Sequence, residues 1–195
     1  MLLLFSLLFS LLSLLPFTLS VPTSSQDCSY SAPGPHYFYL SNITYASHFI
    51  YSTPAHLASS SATLSFDFYN SAVPYTVHCS AGSIADPYQW FIGKETYQCT
   101  MPEGAGKYAR ASFKYNGRDN GELSVNQTWF CEGARFLGST TGSLKLDCKT
   151  EDVTAENFTW PDSRLYRTVD TKCQPGTMLL VPTLGKDYCT QGSGC

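Results

Sequence analysis

Alternation of apolar and polar residues with a period of two is the feature that most restricts how this chain can fold. The clearest example is residues 123–131, where Leu123, Val125, Trp129 and Cys131 share one parity and only Gln127 interrupts them. Shorter examples occur at residues 64–68, 75–79 and 144–148. Such segments are typical of antiparallel strands with one buried face. We predict an all-β fold, a compact antiparallel β-barrel or sandwich with few short helices.

Turn residues divide the rest of the chain. Further strands are predicted at residues 37–45, 97–100 and 109–115, and the turn signals include Asn116-Gly117, Asn120-Gly121, Gly138 and Gly142. Residues 37–149 are therefore predicted to form one β-barrel domain. From residue 150 to 195 the alternation weakens and three prolines interrupt it. This part is predicted to be an irregular, cysteine-containing C-terminal extension packed on the barrel.

The first 20 residues differ from the rest of the chain. Residues 1–20 contain 14 apolar side chains and no charged one, and Pro16 is followed by small residues before Val21. This pattern predicts a cleaved secretory signal peptide, although a membrane anchor is the alternative. Residues 21–36 are rich in Ser, Pro and Gly and are predicted to form a flexible arm. We expect a secreted, extracellular protein with no membrane attachment after cleavage.

Eight cysteines support the same compartment, because an even number in an exported chain predicts a disulfide framework. They are Cys28, Cys79, Cys99, Cys131, Cys148, Cys173, Cys189 and Cys195. Metal binding is the alternative, but the chain contains no C-x-x-C and no Cys–His cluster at ligand spacing. Cys79, Cys131 and Cys148 lie on the apolar parity of their strands, where bridges could join strands across the core.

Three sequons are candidate glycosylation sites: Asn42-Ile-Thr44, Asn126-Gln-Thr128 and Asn157-Phe-Thr159. Asn126 lies on the parity opposite to Val125 and Trp129. We therefore expect its side chain on the outer face of the strand, where a glycan has room.

Charge and motif content exclude several functions. Charged residues make up only 14% and the net charge is −3, which provides no basic field for nucleic acid. No G-x-S-x-G motif is present. The stretch Gly104-Ala-Gly106-Lys107 follows Pro102 and is interpreted as a hairpin turn rather than a phosphate loop. No cofactor, metal or catalytic residue is predicted.

The titratable candidates are interpreted as solvent-exposed groups. His48 and His56 flank one segment and could form a metal or acid–base pair, but exposed loop positions are favoured. His78 lies on an outward strand parity. A cluster of three carboxylates, Glu151, Asp152 and Glu156, could serve glycoside hydrolysis, but a solvated loop is the preferred interpretation.

Two aromatic clusters remain as candidates for binding. One contains Tyr37, Phe38, Tyr39, Tyr45, Phe49 and Tyr51, and the other Tyr88, Trp90 and Phe91. Such rings could stack on sugars or phenolic compounds, yet aromatic side chains also fill the cores of β proteins. We favour the core interpretation.

The order of motifs resembles the Alternaria major-allergen family of small fungal secreted proteins. A Y-x-L-S-N-I-T-Y segment at residues 37–45 is followed by the strand at residues 64–68, Cys79-Ser-Ala81, Trp90, Cys99 and the strand that ends at Cys131. The resemblance covers residues 37–148. It implies a compact β-barrel without a catalytic site and disulfides Cys79–Cys99 and Cys131–Cys148.

The resemblance also bears on assembly and partners. Cys28 occupies the place of a cysteine that links two subunits in the founding allergen, so a dimer through Cys28 is possible. The additional cysteines Cys173, Cys189 and Cys195 depart from the family pattern, and their pairing with one another or with Cys28 stays open. Family members are described as allergens, as elicitors or suppressors of plant defence, and as binders of small phenolic ligands or host proteins.

The leading hypothesis is a secreted, non-catalytic fungal protein that acts by binding a host protein or a small phenolic ligand. Two alternatives stay open. One is a secreted enzyme or binder acting on cell-wall polysaccharide, and the other is a structural protein of the cell wall or spore surface.

Overall fold

A computed structural model describes residues 36–55, 58–84, 90–131 and 134–188. The predicted signal peptide and most of the predicted arm lie outside these residues. So do Cys28, His56, Tyr88, Cys189 and Cys195. The predictions made for them remain predictions.

Twelve strands make up the regular structure of the described residues. In chain order they are β1 (Phe38–Tyr51), β2 (Ala58–Asn70), β3 (Thr76–Ser83), β4 (Phe91–Ile92), β5 (Tyr97–Gln98), β6 (Arg110–Gly117), β7 (Asn120–Cys131), β8 (Ala134–Lys145), β9 (Cys148–Thr154), β10 (Arg167–Cys173), β11 (Gly176–Leu180) and β12 (Thr183–Tyr188). No helix occurs in the described part of the chain, where a few short ones were expected.

The strands form two six-stranded antiparallel sheets. Sheet A has the order β3-β2-β1-β10-β9, and β11 pairs with the amino-terminal end of β1. Sheet B has the order β12-β8-β7-β6-β4, and β5 also pairs with β6. The two sheets pack as a sandwich and do not close into the barrel that the family resemblance implied. The prediction of an all-β antiparallel fold is confirmed.

The core lies between the sheets and is built from one parity of each strand. In β2 the buried residues alternate with half-buried or exposed ones, and Phe66 and Phe68 are almost completely buried. Phe66 meets Phe113 of sheet B edge to face, with ring centroids 5.1 Å apart. Burial of one such ring contributes about 2–3 kcal/mol, so the period-two pattern carries the main driving force for this arrangement.

Gln127, the polar residue that interrupts the apolar pattern of β7, has a hydrogen-bond partner in the other sheet. Gln127 is 1% exposed and its side-chain carbonyl accepts a hydrogen bond of 2.8 Å from the amide of Asn70, which is equally buried. The Asn70 carbonyl accepts from the backbone N–H of Ala72. A buried polar pair of this kind joins the two sheets without leaving either amide carbonyl unsatisfied.

Most of strand β8 was not predicted, because Gly138 and Gly142 were interpreted as turn residues. Both lie inside β8, opposite Gln127 and Leu123 of β7. A Cβ at Gly138 would lie 2.6 Å from Cζ of Phe38, and one at Gly142 would lie 2.5 Å from Cδ2 of Leu180. These glycines therefore allow close packing within the sandwich and do not mark turns.

The position of the turn between β6 and β7 also differs from the prediction. Asn120-Gly121 was interpreted as a turn signal, but β7 begins at Asn120, and Gly121 pairs with Gly117 across the hairpin. The turn itself is Arg118-Asp119. By contrast, the stretch around Gly104 does form the predicted turn, since the N–H of Ala105 donates to the carbonyl of Pro102.

The predicted domain boundary at residue 149 falls inside strand β9 of sheet A. Residues 148–188 contain four strands, and β10 pairs with β1 in the interior of sheet A. The predicted strand at residues 144–148 is divided, because β8 ends at Lys145 and β9 begins at Cys148 in the other sheet. Thus the C-terminal part is integral to the sandwich and is not an irregular extension.

Two disulfides have both sulfurs within the described residues. Cys79 is bonded to Cys99, as the resemblance implied, and the bridge joins β3 of sheet A to the segment after β5 of sheet B. Cys148 is bonded to Cys173, its direct neighbour in the pairing of β9 with β10. The implied Cys131–Cys148 bridge is therefore wrong. Cys131, in sheet B, is also disulfide-bonded, and neither Cys148 nor Cys173 is its partner.

Candidate functional site

A groove crosses three adjacent strands of sheet A on its outer face. It has a volume of about 340 Å³ and is lined by three consecutive residues from each of β2, β1 and β10: Ser61, Ala62, Thr63, Ala46, Ser47, His48, Asp170, Thr171 and Lys172. This volume lies at the lower end of the range of small-molecule sites. We call it the His48 groove.

The strand register explains the shape of the His48 groove. Ala46 pairs with Thr63 on one side and with Lys172 on the other, while His48 pairs with Ser61 and Asp170. The outward side chains therefore form two rows of three. The short side chain of Ala46 lies between the longer ones of Thr63 and Lys172, which leaves room above the sheet at this position.

His48 and Asp170 form the polar centre of the groove. Nδ1 of His48 is hydrogen-bonded to Oδ1 of Asp170, and the two side chains are 45% and 37% exposed. Lys172 adds a cationic group, and Ser61 and Thr63 add hydroxyls. Together these groups offer donors and an acceptor to a ligand that carries several hydroxyl groups. His48 was expected in a loop, but it lies on β1.

One of the two rows contains a hydroxyl, a base and a carboxylate in sequence across the strands: Ser61, His48 and Asp170. No hydrogen bond joins the Ser61 hydroxyl to His48 among the described residues. The backbone N–H groups of three paired strands are engaged in the sheet, so they are not available as donors to an oxyanion. The arrangement is therefore suited to hydrogen bonding of a ligand, and it does not have the parts that acyl transfer needs.

A second polar cluster lies on the same face, towards the other end of β1. Asp67 Oδ1 is 2.9 Å from Nδ1 of His78, and Asp67 Oδ2 accepts a hydrogen bond of 2.8 Å from the amide of Asn42. The hydrogen bond to His78, and after it the one to Asn42, lower the pKa of Asp67. His78 is exposed on β3, in agreement with the outward position predicted for it.

Beyond this cluster, apolar and aromatic side chains lie exposed on sheet A. Tyr39 pairs with Tyr69 of β2 and with Leu179 of β11, and the ring of Tyr37 lies 6.2 Å from that of Tyr69. Tyr37, Tyr39 and Leu179 are 41%, 38% and 66% exposed. We call Tyr37, Tyr39, Tyr69 and Leu179 the tyrosine surface.

The predicted aromatic clusters divide between core and surface. Phe38, Tyr45, Trp90 and Phe91 are buried, as the core interpretation requires. Phe49 and Tyr51 are half-buried and their rings are stacked 5.1 Å apart. Among the cluster members that the structure describes, only Tyr37 and Tyr39 are exposed to a large extent, which distinguishes them as candidates for contact with a partner.

The predicted carboxylate cluster is dispersed. Glu151 and Asp152 lie on β9 and not in a loop, and their side chains belong to opposite faces of the strand. Asp152 accepts two hydrogen bonds from Arg167, which lower the pKa of Asp152. Glu156 is exposed in the segment after β9. All three are exposed to solvent, as predicted, but they do not form a paired catalytic site.

The three sequons occupy different settings. Asn42 lies at an irregularity in the pairing of β1 with β2, with a positive φ of 51°, and its amide is hydrogen-bonded to Asp67. Asn126 is half-buried in the middle of β7, while its neighbour Val125 is buried, so its outward position is confirmed. Asn157 is exposed in a turn. Whether any of them carries a glycan stays a prediction.

Two further findings concern metals and membranes. In the parts of the chain that the structure covers, no group of three or more His, Cys, Asp or Glu side chains is placed to hold a metal ion. Over the same residues, no helix has the length and apolar character needed to span a bilayer.

The His48 groove was missed because its residues are distant in sequence. His48 and Asp170 are 122 positions apart. Asp170 lies in a segment whose pattern did not predict a strand, so nothing in the sequence placed it beside His48.

The fold and the surfaces of sheet A define a class of protein: a disulfide-bridged, two-sheet β-sandwich with a groove and an aromatic surface on one sheet. The chain belongs to the Alternaria alternata allergen 1 family, whose model matches residues 44–173. The matched residues include β10 and both cysteines of the Cys148–Cys173 bridge. Comparisons with curated proteins and with solved structures gave no match.

Proposed function

We propose that this chain is a secreted, non-catalytic fungal protein that acts by binding a host protein through the tyrosine surface. The observation that carries the proposal is the exposure of Tyr37, Tyr39 and Leu179 on a sheet whose other face is packed into the core. Tyrosine provides a large contact area with a polar tip at a low cost in conformational entropy, and it is enriched at protein interfaces.

The sheet beneath supports such a role. Tyr39 lies on the interior strand β1 and is held between β2 and β11 by strand pairing, so its position is set before binding. Phe38, its neighbour in sequence, is fully buried and meets Phe68 edge to face at 4.8 Å. A rigid support of this kind reduces the entropy lost when a partner binds.

Binding to an isolated partner tests the proposal. The mature protein, immobilised, is used to capture proteins from plant apoplastic extract, and a captured protein is then purified and titrated against the wild type and Tyr39→Ser/Leu179→Ser. Loss of two central contacts is expected to raise Kd by at least about tenfold, which corresponds to a loss of roughly 1.4 kcal/mol of binding free energy. His48→Gln, at the other end of the same sheet, is the matched control. An unchanged Kd in the double variant would reject the tyrosine surface as the contact.

A second candidate function is binding of a small phenolic ligand in the His48 groove. It is favoured by the volume of the groove and by the His48–Asp170 pair, which can hydrogen-bond to phenolic hydroxyls. A leucine side chain at Ala46 would fill the space between Thr63 and Lys172. Titration with a soluble polyphenol, followed by NMR, should therefore show binding by the wild type and by Tyr39→Ser/Leu179→Ser but not by Ala46→Leu. Equal binding by Ala46→Leu would exclude this groove.

Export is part of the proposal and has a separate test. Expression of the full chain in a filamentous fungus should release the protein into the medium with an amino terminus at Val21. Retention in the wall fraction would favour the structural alternative. Activity on cell-wall polysaccharide that one carboxylate or histidine substitution abolishes would favour the enzymatic alternative.

A further inference from the structure

The connection between β9 and β10 is a long hairpin with a defined conformation. The backbone N–H of Ala155 donates to the carbonyl of Tyr166, and the N–H of Tyr166 donates to the carbonyl of Tyr51. Within the hairpin, the rings of Phe158 and Tyr166 meet edge to face at 5.4 Å. These contacts fix the base of the hairpin against sheet A.

Trp160 lies at the tip of this hairpin and is 72% exposed. The chain contains three tryptophans, and the other two, Trp90 and Trp129, are each 2% exposed in the core. Next to Trp160, the carboxylate of Asp162 accepts hydrogen bonds from the backbone and side chain of Arg164. The indole therefore lies beside a hydrogen-bonded turn with most of its surface in solvent, which is costly for so large an apolar group.

Asn157, three residues before Trp160, is exposed, as is Asn42, whereas Asn126 is half-buried. Asn157 lies in a turn, with a φ of 53° that Asn tolerates better than most residues. Asn42 has its amide engaged by Asp67, and Asn126 is half-buried within β7. Three successive Cα–Cα steps limit the separation of Asn157 and Trp160 to about 11 Å.

We propose that Asn157 carries an N-linked glycan whose first sugar residues pack on the indole of Trp160. The C–H face of a pyranose ring is apolar, and the face of an indole is electron-rich, so the two surfaces are complementary. Packing the sugar there removes exposed apolar area of Trp160 from water. The proposal requires passage through the secretory route and is independent of the tyrosine surface and the His48 groove.

A tethered sugar is a better occupant of this surface than a free one. Covalent attachment three residues away gives an effective concentration in the millimolar range or above, so a contact too weak to retain a free saccharide is populated. The sequon of Asn157 and the exposed indole of Trp160 belong to the same hairpin. Neither of the other two sequons in the described residues has an exposed tryptophan in its own hairpin.

Acrylamide quenching of tryptophan fluorescence tests the proposal, because Trp160 is the exposed indole and the other two are buried. The full chain is secreted from a fungal host, and the occupancy of Asn157 is established by mass spectrometry of its peptide. Coverage of one face of the indole should lower its quenching constant about twofold relative to the same protein after complete enzymatic removal of N-glycans. Trimming to the first sugar should keep part of the protection.

Variants separate this contact from other effects of glycosylation. Thr159→Ala removes the sequon while Asn157 and its backbone conformation are kept, and its quenching should equal that of the deglycosylated wild type. Thr128→Ala removes the sequon of Asn126 and should leave the quenching of Trp160 unchanged. The proposal is overturned if Asn157 is unoccupied. It is equally overturned if Asn157 is occupied but quenching is the same before and after glycan removal, a result that would leave the indole accessible to an external partner.

Discussion

At the scale of single residues, the absence of a side chain is as informative as its presence. Gly138 faces Phe38 and Trp129, two of the buried rings that fill the space between the sheets. Because a Cβ at this position would lie only 2.6 Å from the ring of Phe38, an alanine forces these rings to move. Gly82 of β3 differs, since the nearest neighbour of a Cβ there would be a backbone oxygen at 3.9 Å.

We therefore expect Gly138→Ala to lower the free energy of unfolding by about 1–3 kcal/mol, the usual cost of overpacking a core. Gly82→Ala is the matched control in a strand, and it should be neutral or slightly stabilising because alanine reduces the entropy of the unfolded chain. Urea denaturation followed by far-UV circular dichroism measures both. If the two alanine variants lose the same stability, close packing is not the reason for glycine at position 138.

Asp67 makes stability depend on pH in a defined direction. Its pKa is lowered in the folded protein from an ordinary value of 3.8 by the hydrogen bonds from His78 and Asn42. A carboxylate with a lowered pKa contributes stability that is present above the unfolded pKa and is lost as pH falls through the folded pKa. We expect Asp67→Asn to be less stable than the wild type at about pH 6 and to approach it below about pH 3. Denaturation at both pH values measures this difference, and a gap that persists in acid would contradict the assignment.

At the scale of elements, prediction succeeded where one parity of a strand is buried. The strands at residues 64–68, 75–79 and 123–131 were found because apolar side chains alternate there. β2 and β7 contain the first and the last of them, and β3 begins at Thr76, one residue into the second. Most of strand β8 was missed because its inward positions include Gly138 and Gly142, which carry no hydrophobic signal. Strand β9 was missed because it is exposed on both faces, so it has no alternation to detect.

The Cys148–Cys173 bridge is the covalent counterpart of the pairing between β9 and β10. Its loop spans 25 positions, a length for which the chain-entropy model gives a stabilisation of about 3.5 kcal/mol. We expect Cys148→Ser/Cys173→Ser to lose about that amount and to exchange the amides of β9 faster, because within the described residues β9 is an edge strand with β10 as its one neighbour. Hydrogen exchange with mass spectrometry measures the local effect.

Non-reducing peptide mapping checks the connectivity itself. The map should contain peptides joined by Cys79–Cys99 and by Cys148–Cys173, with Cys131 linked to neither pair. A peptide in which Cys131 is joined to Cys148 would restore the pairing that the family resemblance implied.

At the scale of the whole molecule, the two candidate surfaces exist only because segments far apart in sequence meet in sheet A. The tyrosine surface needs β11 for Leu179, and the His48 groove needs β10 for Asp170 and Lys172. Both strands follow residue 149, where sequence patterning placed the end of the folded domain. Individual residues of these surfaces could be recognised in advance, but their assembly depends on strand pairing that local patterning does not specify.

The same pairing makes the C-terminal strands a condition for folding. Pairing with β10 covers one edge of β1 from Ala46 to Tyr51, and pairing with β11 covers the edge at Phe38–Leu40. Without them β1 becomes an edge strand with unpaired backbone groups, and the contacts of Met178 and Leu180 with the core are lost.

A chain that ends at residue 149, with Cys148→Ser to remove the thiol left by the loss of Cys173, is therefore expected not to reach the native state. It should lack the near-UV circular dichroism of the full chain and elute as aggregate in size-exclusion chromatography. The control is the full-length Cys148→Ser/Cys173→Ser variant, which keeps β10 and β11 without the bridge and should retain the native spectrum. A monomeric truncated chain with that spectrum would show that residues 37–149 fold alone. In that case β10 and β11 would add only surface features to a complete core.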